Sequence, residues 1–232
     1  MNAARSESAL ALLREAAGMQ PATFSSSFGA EDMVLLDLIQ RHQLPITTFT
    51  LDTGRLPEET YQLMQAVETR YGRVVEVLFP DAQRVQQLVA TQGINGFYDS
   101  VEKRKACCGV RKVEPLARAL KGKAAWVTGM RAAQSVTRAD LPARAPDAEY
   151  QLIKFNPLHD WSETDVWDYL REHNVPTNAL HARGYASIGC APCTRAITVG
   201  EDIRAGRWWW ENADTKECGL HARKTIPLKE TV

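Results

Sequence analysis

The stretch Ala22-Thr-Phe-Ser-Ser-Ser-Phe-Gly-Ala-Glu-Asp32, continued by Met33-Val-Leu-Leu-Asp-Leu-Ile-Gln-Arg41 and Ile46-Thr-Thr-Phe-Thr-Leu-Asp-Thr-Gly54, decides the fold class. The apolar run Ala22–Phe24 predicts a strand, and small residues mark the turn after it. Val34, Leu35, Leu38 and Ile39 then recur at helical spacing. Ile46–Leu51 predicts a second strand. A strand–helix–strand unit of this kind calls for parallel pairing.

Outward from this unit the alternation continues. Strands are predicted at Val74–Leu78, Ala124–Thr128 and Gln151–Phe155, and helices at Pro57–Tyr71 and about Asp81–Thr91. Pro57 suits a first-turn position, and Glu58 and Glu59 suit the positive end of the helix dipole. Ser162-Glu-Thr-Asp165 is a cap-like start for a helix ending near His173. Beyond Asn174, Gly184, Gly189, Pro192, Gly200, Gly206 and Gly219 break up any periodicity. The expected architecture is α/β, a mainly parallel sheet with a loop-rich C-terminal extension. One domain is expected over residues 1–210, with residues 211–232 as a mobile tail.

The 232 residues, 44% hydrophobic and 24% charged with 14 Gly and 11 Pro, exclude collagen-like, disordered and low-complexity classes. No apolar run reaches the roughly 18 residues of a membrane-spanning helix. Arg14 and Glu15 interrupt Ser8-Ala-Leu-Ala-Leu-Leu13 before it can form the core of a secretory signal. A cytoplasmic protein that engages no membrane is expected. Charge balances overall, 28 against 28, but Lys103–Arg144 holds eleven Lys or Arg and only two acids, Glu114 and Asp140. Something anionic is expected there, the plainer reading being a solvated basic face. Without a nucleic-acid module signature, a nucleic-acid partner is not expected.

Cys107, Cys108, Cys190, Cys193 and Cys218 make an odd number, which argues against a disulfide framework and for thiolate chemistry. Cys107-Cys108 and Cys190-Ala-Pro-Cys193 together offer four ligands. Adjacent thiolates are awkward around one tetrahedral zinc, whereas a [4Fe–4S] cube offers each cysteine its own iron. Spacing favours the cube, with zinc and four unrelated buried cysteines as the alternatives. A four-thiolate cube of net charge about −2 gives Lys103, Arg104, Lys105, Arg111 and Lys112 something to offset.

Two further constellations carry chemistry. Ser25, Ser26, Ser27 and Gly29 form a turn of small residues whose backbone can approach a ligand, with free N–H groups at a helix start for phosphate oxygens. The turn lacks the Gly-Lys-Ser/Thr of a Walker loop, and a ligand-free capped turn explains it equally well. Leu51-Asp-Thr-Gly54 adds weight, because ligands in open α/β sheets gather at the carboxyl ends of strands. In the tail, Glu217-Cys-Gly-Leu-His221 places a thiol poorly for core packing, so Cys218 reads as accessible and reactive. His221 either assists that thiolate or is solvated. Trp208-Trp-Trp210 reads as packing.

Taken together, these residues resemble the assimilatory adenylylsulfate reductases of the sulfonucleotide reductase family. The likeness runs from Phe24 to His221 through Ser25–Asp32, Leu51–Gly54, Cys107-Cys108, Gly129-Met-Arg131, Gln134-Ser135, Arg138, Cys190-x-x-Cys193, Arg204-Ala-Gly-Arg-Trp-Trp-Trp-Glu211 and Glu217–His221. It implies a Rossmann-like sheet of the adenine nucleotide alpha hydrolase (PP-loop) type. It also implies one [4Fe–4S] cluster per subunit on Cys107, Cys108, Cys190 and Cys193. The implied reaction reduces adenosine 5′-phosphosulfate to sulfite and AMP with thioredoxin as the reducing partner and Cys218 as nucleophile. Substrate residues implied by position in the motifs are Ser25, Ser26, Ser27, Leu51, Thr53, Gly54, Arg131, Arg138, Arg204, Arg207 and His221. Lys112 is implied as the link between cluster and substrate, and a homo-oligomer is compatible with the likeness.

Three other readings stay open at this point. The 3′-phosphorylated nucleotide is an alternative substrate, although members devoted to it generally lack both cysteine pairs. A non-enzymatic zinc or iron–sulfur module makes Cys218 dispensable. An ATP-consuming PP-loop ligase needs glycine-rich room for a triphosphate where Ser26, Ser27 and Phe28 stand.

Overall fold

The computed structural model of the protein describes residues 3–134 and 140–212. Its strands are β1 (Ala22–Ser26), β2 (Ile46–Leu51), β3 (Val75–Leu78), β4 (Ala125–Val127), β5 (Arg144–Asp147) and β6 (Leu152–Phe155). They form one sheet in the order β3-β2-β1-β4-β6-β5, parallel throughout except for β5 against β6. The described α-helices are α1 (Ala3–Gly18), α2 (Ala30–Arg41), α3 (Glu58–Tyr71), α4 (Ala82–Gln92), α5 (Val101–Cys108), α6 (Glu114–Leu120) and α7 (Glu163–Glu172). No helix among the described residues is long and apolar enough to cross a membrane.

Alternate strand side chains enter opposite cores, as the period of two requires. Phe24, Val127 and Phe155 pack with Met33 and Leu35 of α2 and with Leu13 of α1, while Phe49, Trp126 and Leu152 turn to Leu116 and Leu120 of α6. Both faces are thereby covered, the condition under which parallel sheets are stable. Helix α2 lies between the sheet and α7, so Val34, Leu36 and Ile39 are buried as well as the residues facing β1. Asp37, fully buried in that helix, accepts hydrogen bonds from Tyr71 of α3 at 2.8 Å and Tyr169 of α7 at 2.7 Å. One carboxylate thus ties three helices, with Arg41 and Arg70 at 3.6 and 3.7 Å to balance it. Burial, reinforced by the Asp37 hydrogen bonds, pushes both phenols above the ordinary tyrosine range.

The strands and helices expected from periodicity are present, with ends displaced by a few residues, and Pro57 stands at the N-cap of α3 rather than inside its first turn. The Ser162–Asp165 start of α7 is a complete capping box. Helix α1 was not anticipated, although Ala9, Leu13 and Ala16 make a buried stripe at helical spacing. Strand β5 was invisible because Arg-Ala-Pro-Asp has no apolar alternation. Its Pro146 is tolerated because β5 is an edge strand.

Helices α5 and α6 are joined by a π-helical turn, Gly109–Val113. Pro115, near the start of α6, cannot donate to the carbonyl of Arg111 and its ring crowds that group, so a wider turn replaces the α pattern. Past Asn174 the described chain has only short 3-10 turns, His181–Arg183 and Ala191–Cys193, and one bridge between Thr194 and Arg207. Strand β1 has β2 on one side and β4 on the other, so the order of connection reverses there. That reversal opens a crevice at the carboxyl ends of the three strands.

Candidate functional site

A cavity of about 270 Å³ occupies the crevice. Ser25, Ser26 and Ser27 line it from the end of β1, Leu51 and Thr53 from β2, and Thr128, Gly129 and Met130 from β4. Lys112, Arg204 and Arg207 bring positive charge to its wall. The serine turn is organised by Asp32, whose Oδ2 accepts from the Ser27 N–H at 2.6 Å and the Ser27 hydroxyl at 2.7 Å. Burial pushes the Asp32 carboxyl up to about 6 against those hydrogen bonds. The Phe28 N–H is likewise engaged, by Ser26 Oγ at 3.2 Å, and Phe28 itself adopts a left-handed φ of 59°. Two N–H groups expected to face a phosphate are therefore already in use, because a short acidic side chain one turn into α2 reaches back to the loop. The start of α2 stays available, since Gly29 at its N-cap supplies no side-chain cap. A Cβ at Gly129 would overlap Asp32 Oδ1, so any larger residue there has to displace the carboxylate that organises the serine turn.

The loop after β2 separates this cavity from the cysteines. Asp52 Oδ1 accepts from the Gly54 N–H at 2.8 Å and from Tyr61 at 2.9 Å, and Gly54 takes a φ of 69°. Burial, then the Asp52 hydrogen bond, pushes Tyr61 up to about 12. Arg111 donates to the Thr53 carbonyl at 2.7 Å, the Ala191 N–H donates to the Arg55 carbonyl at 2.8 Å, and Thr53 Oγ1 lies 3.2 Å from Cys190 Sγ.

Cys107, Cys108, Cys190 and Cys193 converge on one small cavity of about 20 Å³, walled also by Arg55, Arg104, Arg111 and Lys112. Three of these thiols are buried and Cys107 is half-buried. Burial pushes Cys193 up to about 12, with Cys190 adding to the rise and Lys112 and Arg207 opposing it. Cys107 is raised by burial while Arg111 pulls it down. Among the described residues no three His, Cys, Asp or Glu side chains converge closely enough to hold a single metal ion. Lys112, on the π-helical turn, and Trp208 border both the thiol cavity and the larger one.

Of the residues singled out from sequence, Ser25, Ser26, Ser27, Leu51, Thr53, Lys112, Arg204 and Arg207 share the larger cavity. Gly54 packs toward the Arg111 guanidinium instead. Arg131, expected beside the phosphosulfate, is buried and paired with Glu31 at 2.7 Å, and it also donates to the Trp161 carbonyl at 3.2 Å. Glu31, in the first turn of α2, holds that guanidinium. Arg138, Cys218 and His221 lie outside the described residues. Glu31 and Asp32, inside the Ser25–Asp32 motif but given no role from sequence, and His181, not singled out at all, also lie on the cavity wall. Acids in a helix's first turn were legible as dipole partners, whereas nothing local marks His181.

Residues 21–196 match the family model described as the phosphoadenosine phosphosulfate reductase domain. An adenosine 5′-phosphosulfate reductase of Allochromatium vinosum is 62% identical over 204 residues, covering 88% of this chain and 80% of its own. One of Burkholderia cepacia is 55% identical over 205 residues, covering 88% and 82%. Among solved structures, the phosphoadenylyl-sulfate reductase of Candida auris, in a phosphate complex, superposes with a TM-score of 0.70 at 28% identity over 81% of this chain and 90% of that one. The FMN adenylyltransferase of Candida glabrata, in complex with FAD and inorganic pyrophosphate, shares the fold alone, with a TM-score of 0.55 at 16% identity over 98% and 80%. The mostly parallel sheet is of the PP-loop nucleotide-binding type, and the chain belongs to the phosphoadenosine phosphosulfate reductase family.

Proposed function

We propose that the protein is a thioredoxin-dependent adenylylsulfate reductase of sulfate assimilation, binding its nucleotide in the crevice cavity and an iron–sulfur cluster in the thiol cavity. The observation that carries this reading is the shared wall, where Lys112 and Trp208 border both a hydroxyl-lined cavity and the one on which four cysteines converge. The thiol cavity suits a [4Fe–4S] cluster held by Cys107, Cys108, Cys190 and Cys193. Among the described residues its metal-ligating donors are all sulfur and do not converge on a single-ion position, and Arg55, Arg111 and Lys112 line it as cations beside Arg104, which is paired with Glu211. When bound, such a cluster supplies a fixed net negative charge and a structural brace beside the substrate, and both electrons come from the dithiol partner.

The chain's own groups do the rest. The serine turn and the loop after β2 hold the nucleotide, and Lys112, Arg204 and Arg207 face the negative charge that grows on the phosphate as AMP leaves. Cys218 thiolate attacks the sulfur of the phosphosulfate, the sulfur–oxygen bond to phosphate breaks, and Cys218 carries the S-sulfo group. A thioredoxin thiolate then attacks the Cys218 sulfur and releases sulfite, and its second cysteine resolves the mixed disulfide. The two cysteine pairs favour the unphosphorylated nucleotide over its 3′-phosphorylated counterpart. In an anaerobic assay, adenylylsulfate without thioredoxin is expected to add one SO₃ group to Cys218 and release one AMP, with sulfite appearing when reduced thioredoxin follows. Turnover by Cys218→Ser, or an adduct on another cysteine, would overturn the mechanism.

A further inference from the structure

The three serines of the turn after β1 do not offer the cavity the same chemistry. Ser27 spends its hydroxyl hydrogen on Asp32 Oδ2 at 2.7 Å, and Ser26 Oγ accepts from the Phe28 N–H at 3.2 Å. Ser25 Oγ accepts from the indole N–H of Trp126 at 2.8 Å. An indole nitrogen can only donate, so the Ser25 hydrogen cannot point at Trp126 and stays free for another acceptor. Ser25 is only half-buried and lines the cavity. Phe24 turns toward α2, so Ser25, one residue on, turns to the opposite face of the sheet. There it stands beside Phe49, its partner on β2, and beside Trp126, which with Leu51 and Leu116 form an apolar stretch of the cavity wall. The start of α2, whose N–H groups suit a phosphate, lies on the other face.

The indole is itself held in place. Trp126 is only 1% exposed, the Tyr150 ring meets it edge-on with centroids 5.8 Å apart, and Nζ of Lys154, its partner on β6, sits 4.4 Å from the ring centroid. The N–H is thereby kept on Ser25. We infer that Trp126 is a positioning residue: its N–H fills a lone pair of Ser25 Oγ and leaves the hydroxyl hydrogen for an acceptor on the nucleoside part of the bound nucleotide, a ring nitrogen of the base or a ribose oxygen. The inference rests on the nucleotide reading of the cavity and deepens it.

The test is a double-variant cycle on Ser25→Ala and Trp126→Phe, read by equilibrium binding of AMP and of adenosine to the anaerobically purified protein. Ser25→Ala is expected to weaken both ligands about three- to tenfold, the size of one neutral hydrogen bond. Trp126→Phe keeps an aromatic ring in the wall and removes the N–H. It is expected to cost about two- to fivefold in affinity when Ser25 is present and nothing further on top of Ser25→Ala. Replacing Trp126 by 3-benzothienylalanine, which has the shape of the indole with sulfur in place of N–H, should reproduce that loss and serves if the Phe variant does not fold. A tryptophan that only packs weakens binding by the same factor with or without Ser25, or lowers the unfolding midpoint with affinity unchanged, and either result overturns the assignment. A loss confined to AMP overturns it as well, by moving the acceptor to the phosphate. Failure of the parent to bind either ligand removes the nucleotide reading and this inference with it, whereas binding without the coupling removes the inference alone.

Discussion

Arg104 and Glu211 form a two-point buried ion pair, Nε to Oε1 at 2.8 Å and Nη2 to Oε2 at 2.7 Å, with side chains only 1% and 3% exposed. Arg104 lies on α5, three and four residues before Cys107 and Cys108, while Glu211 closes the Arg204–Glu211 segment. The Arg104 guanidinium also sits over the Trp208 ring at 4.7 Å, with Arg207 over the same ring at 4.8 Å. The Arg204–Glu211 segment is thus fastened to the helix that supplies Cys107 and Cys108.

Breaking this pair from one side strands a buried charge. Arg104→Ala and Glu211→Ala are each expected to cost about 3–5 kcal/mol in denaturant unfolding. The double variant should lose much less than the sum of the two. Additive losses would show that the two side chains act independently.

Lys112 borders both cavities, so its charge can act on the leaving phosphate. Lys112→Ala is expected to lower turnover by about 10²–10³ with a much smaller change in nucleotide affinity. Lys112→Arg should recover only part, because a planar fork does not replace a point charge. Steady-state kinetics beside AMP titration checks this, and unchanged turnover in Lys112→Ala refutes it.

The thiol cavity is expected to yield a brown, oxygen-sensitive protein with about four irons and four acid-labile sulfides per chain. Cys107→Ser and Cys193→Ser should lose that iron, whereas Cys218→Ser should keep it. Metal analysis of anaerobically purified protein decides the matter. Stoichiometric zinc with no visible charge-transfer band would refute the cluster.

Asp32 gives a pH signature of known sign. Burial raises its pKa from 3.8 to about 6 in the folded state. The folded protein therefore holds the proton more tightly, and this contribution is complete below the unfolded pKa and lost as pH rises through about 6. Relative to the parent, Asp32→Asn is expected to gain about 2 kcal/mol of stability between pH 4 and pH 7. Unfolding midpoints at several pH values measure the difference, and a flat difference would show that Asp32 is not buried as an acid.

The strand–helix alternation around Ala22–Gly54 was enough to establish an α/β class, because the period of apolar residues is set by each element's own geometry. The pairing of Cys107-Cys108 with Cys190-x-x-Cys193 was legible for a similar reason: residue type and spacing limit the chemistry available. The position of Arg131 was not legible. Its sequence neighbours are compatible with a substrate contact, and only the fold brings Glu31, a hundred residues earlier, to its guanidinium. The same holds for Asp32, whose reach back to Ser27 closes part of the expected phosphate cradle, and for the meeting of Arg104 with Glu211. Local periodicity and ligand spacing are written along the chain. Which charges cancel and which remain exposed to a ligand depends on distances between segments far apart in sequence, and only the packed structure sets those.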